Sequence, residues 1–162
     1  MAKVRAEMSM SLDGFITGPN DSVDDPLGKG GDRLHQWVYG LEPWGEDPPF
    51  KNPVFVVTHN PRQPLLRKGG TTFNFVDGIE AAVEQAKAAA GDKDVSVAGG
   101  ANVIQQLIEA GLLDEIQIHL APVLLGEGRR LFENMESRQR EMELTRLVES
   151  PGVTHLRFWV AK

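Results

Sequence analysis

The stretch SVAGGANVIQQLIEAGLLDEI, residues 96–116, decides the fold. With Asp94 and Val95 before it, its start reads as a short strand, DVSVA, and after Gly99-Gly100 the apolar positions switch to helical spacing. Val103, Ile104, Leu107 and Ile108 share one face of a helix predicted over 101–110, which Gly111 ends. A strand feeding a helix through two glycines can present a helix N-terminus to a phosphate, with free N–H donors, the positive dipole end and no Cβ in the way. The same pair serves as well for a tight turn that needs positive φ. No GxGxxG or Walker motif surrounds it, so the pair alone favours neither reading.

Working outward, Val4 to Ser11 reads as a first strand ending at the turn Asp13-Gly14. A polar, glycine-rich loop, TGPNDSVDDPLGKGGD (17–32), follows, and Leu34, Trp37, Val38 and Leu41 then form the stripe of a short helix. Four prolines between Glu42 and Pro53 exclude regular structure there. NPVFVVTHN (52–60) and TTFNFV (71–76) read as strands, and DGIEAAVEQAKAAAG (77–91) as a helix with capping-box spacing at Asp77 and Glu80. EIQIHLAPVLLG (115–126) is a further strand. EMELTRLVES and VTHLRFWVA flank Ser150-Pro151-Gly152 as a closing hairpin. The order predicts a single α/β domain, a mostly parallel central sheet flanked by helices with a C-terminal antiparallel hairpin. Ligands of such sheets sit at strand carboxyl ends, here after Ser11, Val57 and Ala98.

Composition narrows the chemistry. The 162 residues include no cysteine, which excludes disulfides, thiolate nucleophiles and cysteine-ligated metals. A net charge of −6 argues against a nucleic-acid partner. No signal segment and no membrane-length apolar run is evident, so a cytoplasmic protein is the expectation. The four histidines lack HxH or HxxxH spacing, and no metal site is expected.

Three places can carry function. Thr58, His59 and Arg62 in VTHNPRQ suit a phosphate monoester such as the 2′-phosphate of NADPH, and no acidic residue lies between Val57 and Arg67 to bind a free ribose. An ordinary surface loop explains that feature equally well. Asp13 is a carboxylate at a strand end that can relay a proton or orient a ligand, although Asp-Gly is also a common turn pair. Gly99-Gly100 is the third.

The chain resembles the dihydrofolate reductase-like family, and within it the RibD C-terminal reductase domain and its stand-alone relatives. The resemblance rests on MSLDGFITGP (10–19), PVFVVTHNPR (53–62), AGGANVIQQLIEAGLLDEIQIHLAPVLLGEGRRLF (98–132) and the closing hairpin. It implies an NADPH-dependent reductase. By that resemblance Gly99, Gly100, Ala101, Asn102 and Val103 hold the cofactor's pyrophosphate, and Thr58, His59 and Arg62 its adenosine side. Asp13, Gly14, Ile16, Thr17 and Gly18 line the nicotinamide and substrate cleft, and Pro122, Leu125 and Gly126 approach the substrate. The implied substrate is a pterin-like or ribosylamino-pyrimidine-like heterocycle. A nucleotide- or flavin-binding protein of the same fold without turnover is the alternative, and a fold relative with another ligand a third.

The chain departs from the family in one place. Between the first helix and Pro53 the family carries a further strand and turn with a Gly-Arg motif, roughly one βαβ unit's worth of chain, which is absent here. Losing a central strand would split a parallel sheet, so we expect the segment to belong to the molecule although these residues lack it, with an abnormal Cα–Cα spacing near Leu41-Glu42. A homodimer is expected through the C-terminal strands, which end in Phe158 and Trp159.

Overall fold

The structure is a computed structural model that describes residues 2–38, 51–136 and 139–161. The elements run β1 (Val4–Ser11), β2 (Phe15–Thr17), a 3-10 helix (Gly31–Val38), β3 (Val54–Val57), β4 (Leu65–Leu66), β5 (Thr72–Val76) and α1 (Ile79–Ala90), followed by β6 (Val95–Val97), α2 (Ala101–Glu109), β7 (Glu115–Ala121), β8 (Arg129–Arg130), β9 (Met142–Ser150) and β10 (Val153–Val160). Contacts divide the chain into two units, Met1–Lys3 with Gly40–Val95, and Val4–Tyr39 with Ser96–Lys162.

The larger unit is built on a five-stranded sheet in the order β6-β1-β7-β10-β9. β1 and β7 are parallel, and β10 is antiparallel to both β7 and β9. The period-2 alternation of side chains gives this sheet one apolar and one polar face. On the first, Ala6, Met8 and Met10 stand in register with Ile116, Ile118 and Leu120. On the second, Arg5, Glu7 and Ser9 meet Glu115, Gln117 and His119, which in turn meet Trp159, Arg157 and His155. Each of these rungs is bonded: Arg5 to Glu115 at 3.0 Å, Arg157 to Gln117 at 2.6 Å, and His119 to His155 at 2.7 Å.

α2 contributes Ala101, Ile104, Gln105, Leu107 and Ile108 to the interior of this unit, while Val103 is only half-buried. Gln105 takes the buried place because its amide donates to the Leu131 carbonyl at 2.9 Å. The short helix after the polar loop is a 3-10 helix. At three residues per turn, Gly31, Leu34 and Trp37 share one edge, and the first two are buried. That replaces the expected i, i+3, i+4, i+7 stripe, and Leu41 lies outside the described residues.

The smaller unit holds a separate three-stranded sheet, β3-β5-β4, with β3 and β5 parallel and α1 packed on both. Among the described residues the strands form three sheets, the third being β2-β8; β3 and β5, expected in the central sheet, pair with each other and not with its five strands. The Asp77–Glu80 capping box does not form. Gly78 is the N-cap, with φ 89°, and no side chain caps the helix. The junction at Leu41-Glu42, and with it the expected abnormal spacing, lies outside the described residues.

Candidate functional site

Parallel pairing of β1 and β7 aligns Ser11 with Ala121, so the segments after the two strands leave the sheet side by side. Leu12 N–H donates to the Val123 carbonyl at 2.9 Å, and the Asp13 turn faces the loop at Leu125-Gly126. Asp13 Oδ1 accepts from the Ser11 hydroxyl at 2.6 Å and from Leu125 N–H at 3.1 Å. Its Oδ2 accepts from Gly126 N–H at 2.7 Å. The same Ser11 hydroxyl, fully buried, accepts from Phe15 N–H at 2.9 Å. These donors favour the ionised form, the Ser11 hydroxyl most of all, and hold the Asp13 pKa at about 2 against an ordinary 3.8.

Asp13 is thus brought together with Leu125 and Gly126, and its carboxylate acts as a clasp. A group with this pKa is ionised near neutral pH, and its three bonds tie the β1 turn to the loop after β7. Ser11 is the residue that sequence reading missed; its only sequence signal is a hydroxyl two positions before the aspartate.

Ile16 and Thr17 are buried. Thr17 Oγ1 accepts from Arg129 N–H at 3.3 Å, where β2 pairs with β8. Gly18 and Gly128 serve backbone packing. A Cβ on Gly18 would stand 2.0 Å from the Lys29 carbonyl oxygen, and one on Gly128, 1.9 Å from that of Thr17. Arg130 donates to the Asp13 carbonyl at 3.0 Å and lies over the Phe15 ring at 4.4 Å.

At the α2 N-terminus the first helical bond runs from Ile104 N–H to the Gly100 carbonyl at 3.2 Å. The N–H groups of Ala101, Asn102 and Val103 therefore precede any intrahelical acceptor. No side chain caps the helix. The Gly99-Gly100 peptide is cis and Gly99 has φ +123°. The two glycines differ in surroundings: a Cβ on Gly99 would meet Met8 Cε at 3.0 Å, whereas one on Gly100 would enter open space.

In the smaller unit, β3 and β5 end together at Val57 and Val76. Thr58 Oγ1 accepts from Asn60 N–H at 3.1 Å, closing a tight polar turn. Arg62 is exposed, its guanidinium 4.0 Å from the Phe75 ring centroid. His59 Nδ1 lies 3.4 Å from the Asp77 carboxylate. An acid therefore stands beside this turn although none occurs between Val57 and Arg67; it comes from the neighbouring strand's end, which linear reading could not place.

Beside the β1 and β7 ends lies a cavity of about 520 Å³. Arg33, Gln36 and Trp37 of the 3-10 helix, Ala121–Val123 and the Pro151-Gly152 turn line it. Pro122 and Gly152 also line an adjoining cavity of about 240 Å³. Trp37 packs against the buried His119 and its partner His155, with ring centroids 4.6 and 5.1 Å away. Burial and the neighbouring His155 hold His119 below the ordinary histidine pKa, partly opposed by Glu7. Among the described residues no group of three or more His, Asp or Glu could hold a metal.

The sequence profile of the RibD C-terminal domain matches residues 38–156. The chain belongs to the RibD C-terminal domain family. A relative in the curated proteins is the uncharacterised protein YyaP of Bacillus subtilis (strain 168), 30% identical over 179 positions that cover 97% of this chain and 95% of that protein. Those 179 positions against 162 residues mean that at least 17 have no counterpart here. Among solved structures, a putative riboflavin biosynthesis protein from Shewanella sp. PV-4 aligns over all of both chains at 19% identity with a TM-score of 0.66. The riboflavin biosynthesis reductase Rib7 of Saccharomyces cerevisiae aligns with 99% of this chain and 89% of its own, at 15% identity and a TM-score of 0.59. These two likenesses establish the family's mixed α/β fold, a central sheet with helices.

Proposed function

We propose that this protein is an NADPH-dependent reductase of dihydrofolate reductase-like fold, transferring hydride to a pterin-like or ribosylamino-pyrimidine-like heterocycle. The observation that carries the reading is the start of α2 in a chain of this family. Three backbone N–H groups precede the first helical bond there, and the space in front of Gly100 is open. That fits an anionic diphosphate approaching the backbone. When bound, the nicotinamide supplies the hydride.

In this reading the protein positions and does not itself react. Gly99, Gly100 and the Ala101–Val103 amides hold the pyrophosphate, and Thr58 and Arg62 take the adenosine phosphate. Asp13 keeps Leu125 and Gly126 in place beside the substrate and stays ionised throughout. One observation favours the non-catalytic alternative: with Asp13 held ionised, the site turn offers no side-chain acid to protonate a product. Oxidation of NADPH, followed by absorbance in the presence of dihydrofolate or the ribosylamino-pyrimidine, decides between them. Turnover with either substrate establishes the reductase; cofactor binding without turnover on both leaves the nucleotide-binding reading.

A cytoplasmic homodimer completes the proposal. β9 is the outer strand of the five-stranded sheet and exposes Leu144 and Leu147, which supports pairing with a second copy. Sedimentation of a single monomeric species would overturn that part.

A further inference from the structure

The larger cavity contains none of the residues that the family resemblance assigns, apart from Pro122. Its walls have a definite chemistry. Trp37 donates its indole N–H to the Leu34 carbonyl at 3.0 Å, so what it offers the cavity is ring surface and no donor. Pro122 and Pro151 add flat apolar surface, Gln36 an amide and Arg33 a guanidinium, and no acidic side chain is among the lining. In a chain of net charge −6, a cavity lined by a cation and no acid is selective in sign. Flat ring surfaces set among polar groups suit a planar polar heterocycle, which stacks on an indole.

Trp37 is also held from behind. His119 and His155 are directly opposite on β7 and β10, their Nδ1 atoms 2.7 Å apart, and both rings pack on the indole. A side chain fixed by its own hydrogen bond and by the rings of the buried His119 and the half-buried His155 keeps its position before a ligand arrives, which lowers the ordering cost of binding.

We propose that this cavity seats the ring of the heterocyclic ligand, with Trp37 as the positioning residue that stacks on it and Arg33 as the residue that selects an anionic substituent. The proposal deepens the reductase reading by naming where the substrate sits, and it rests on that reading only for calling the occupant a substrate.

The test uses two matched pairs of probes, uridine 5′-monophosphate with uridine, and dihydrofolate with 6-methyldihydropterin. Each is titrated by calorimetry into the full chain and into Trp37→Leu, Trp37→Phe and Arg33→Met, with NADPH titrated separately into all four. In at least one pair we expect the anionic member to bind at least tenfold more tightly. Arg33→Met should abolish that preference without altering the neutral member. Trp37→Leu should weaken both members at least tenfold, and Trp37→Phe, which restores a ring, should recover most of the loss. NADPH affinity should stay within twofold in every variant. Failure of all four probes to bind the unaltered chain, or unchanged affinities in Trp37→Leu and Arg33→Met, would overturn the proposal. Loss of NADPH binding by the unaltered chain would instead overturn the reductase reading and leave the ring seat standing.

Discussion

Asp13 Oδ2 accepts the Gly126 N–H at 2.7 Å across 113 residues of sequence, closing the β1 turn onto the loop that follows β7. With the bonds from Ser11 and Leu125, it makes the aspartate an anchor for two loops. The pairing follows from the parallel β1–β7 ladder, which leaves both chain segments at the same end of the sheet.

Asp13→Asn tests the anchor directly. An asparagine keeps the shape, but its amide N–H groups would oppose either the Gly126 or the Leu125 N–H, so one backbone donor loses its acceptor. We expect a lower urea midpoint than that of the unaltered chain. Because the Asp13 pKa is depressed, its contribution to stability is fully present above 3.8 and disappears as pH falls through about 2. Any pH dependence of turnover between 5 and 8 should therefore survive in Asp13→Asn. Its disappearance there would restore the proton-relay role.

The His119–His155 pair should give stability a second pH dependence. With Nδ1 facing Nδ1 at 2.7 Å, one nitrogen must be without a proton. The folded-state pKa of His119 is lowered, first by burial and then by His155, with His35 acting in the same direction and Glu7 against it. The unfolded chain therefore takes up the proton first. Stability is present above the ordinary value of 6.5 and falls as pH drops below it. Chemical unfolding at pH 7.5 and 5.5 should show the loss, and His119→Phe should flatten it. An equal slope in the variant would place the effect elsewhere.

Glycine substitutions separate packing from ligand approach. Gly128 has φ +136°, and a Cβ there would lie 1.9 Å from the Thr17 carbonyl oxygen. Gly128→Ala should cost at least about 1–3 kcal/mol from the backbone conformation alone, before the clash is relieved. A melting temperature within a degree of the unaltered chain would show that the β2–β8 region is held otherwise.

Arg62 should discriminate between dinucleotides. Removing an arginine that meets a phosphate forfeits about 1.5–3 kcal/mol of charge-assisted hydrogen bonding. Arg62→Ala should thus bind NADPH at least tenfold more weakly while leaving NADH unchanged. The carboxylate of Asp77 beside His59 makes the comparison informative, since an acid at such a strand end can instead favour a free ribose. Equal losses for both cofactors would assign Arg62 a structural role against Phe75.

Local pattern made much of this molecule legible. β1 falls on the expected Val4–Ser11, α1 and α2 lie where apolar spacing put them, and the last two strands pair about Pro151-Gly152. What remained hidden depends on partners distant in sequence. Asp13 reads as a free acid until Leu125 and Gly126 are brought to it, and Asp77 reads as a helix cap until β3 and β5 align their ends. Trp37 was legible as an apolar position, but not as a cavity wall, because His119 and His155 reach it from two other strands. The separation of β3 and β5 from the five-stranded sheet was not foreseen, since the expectation of one central sheet led us to expect the absent strand to belong to the molecule.

The start of α2 is where the functional reading is most exposed to a single measurement. A Cβ at Gly100 meets nothing within 4 Å, so Gly100→Val should fold and should obstruct only what approaches from outside. Titrating NADPH by fluorescence into both proteins, with circular dichroism to verify the fold, should give saturable binding to the unaltered chain and at least tenfold weaker binding to the folded variant. No binding to the unaltered chain at high micromolar NADPH, or equal affinity in Gly100→Val, would contradict the assignment of this turn as the cofactor's phosphate cradle.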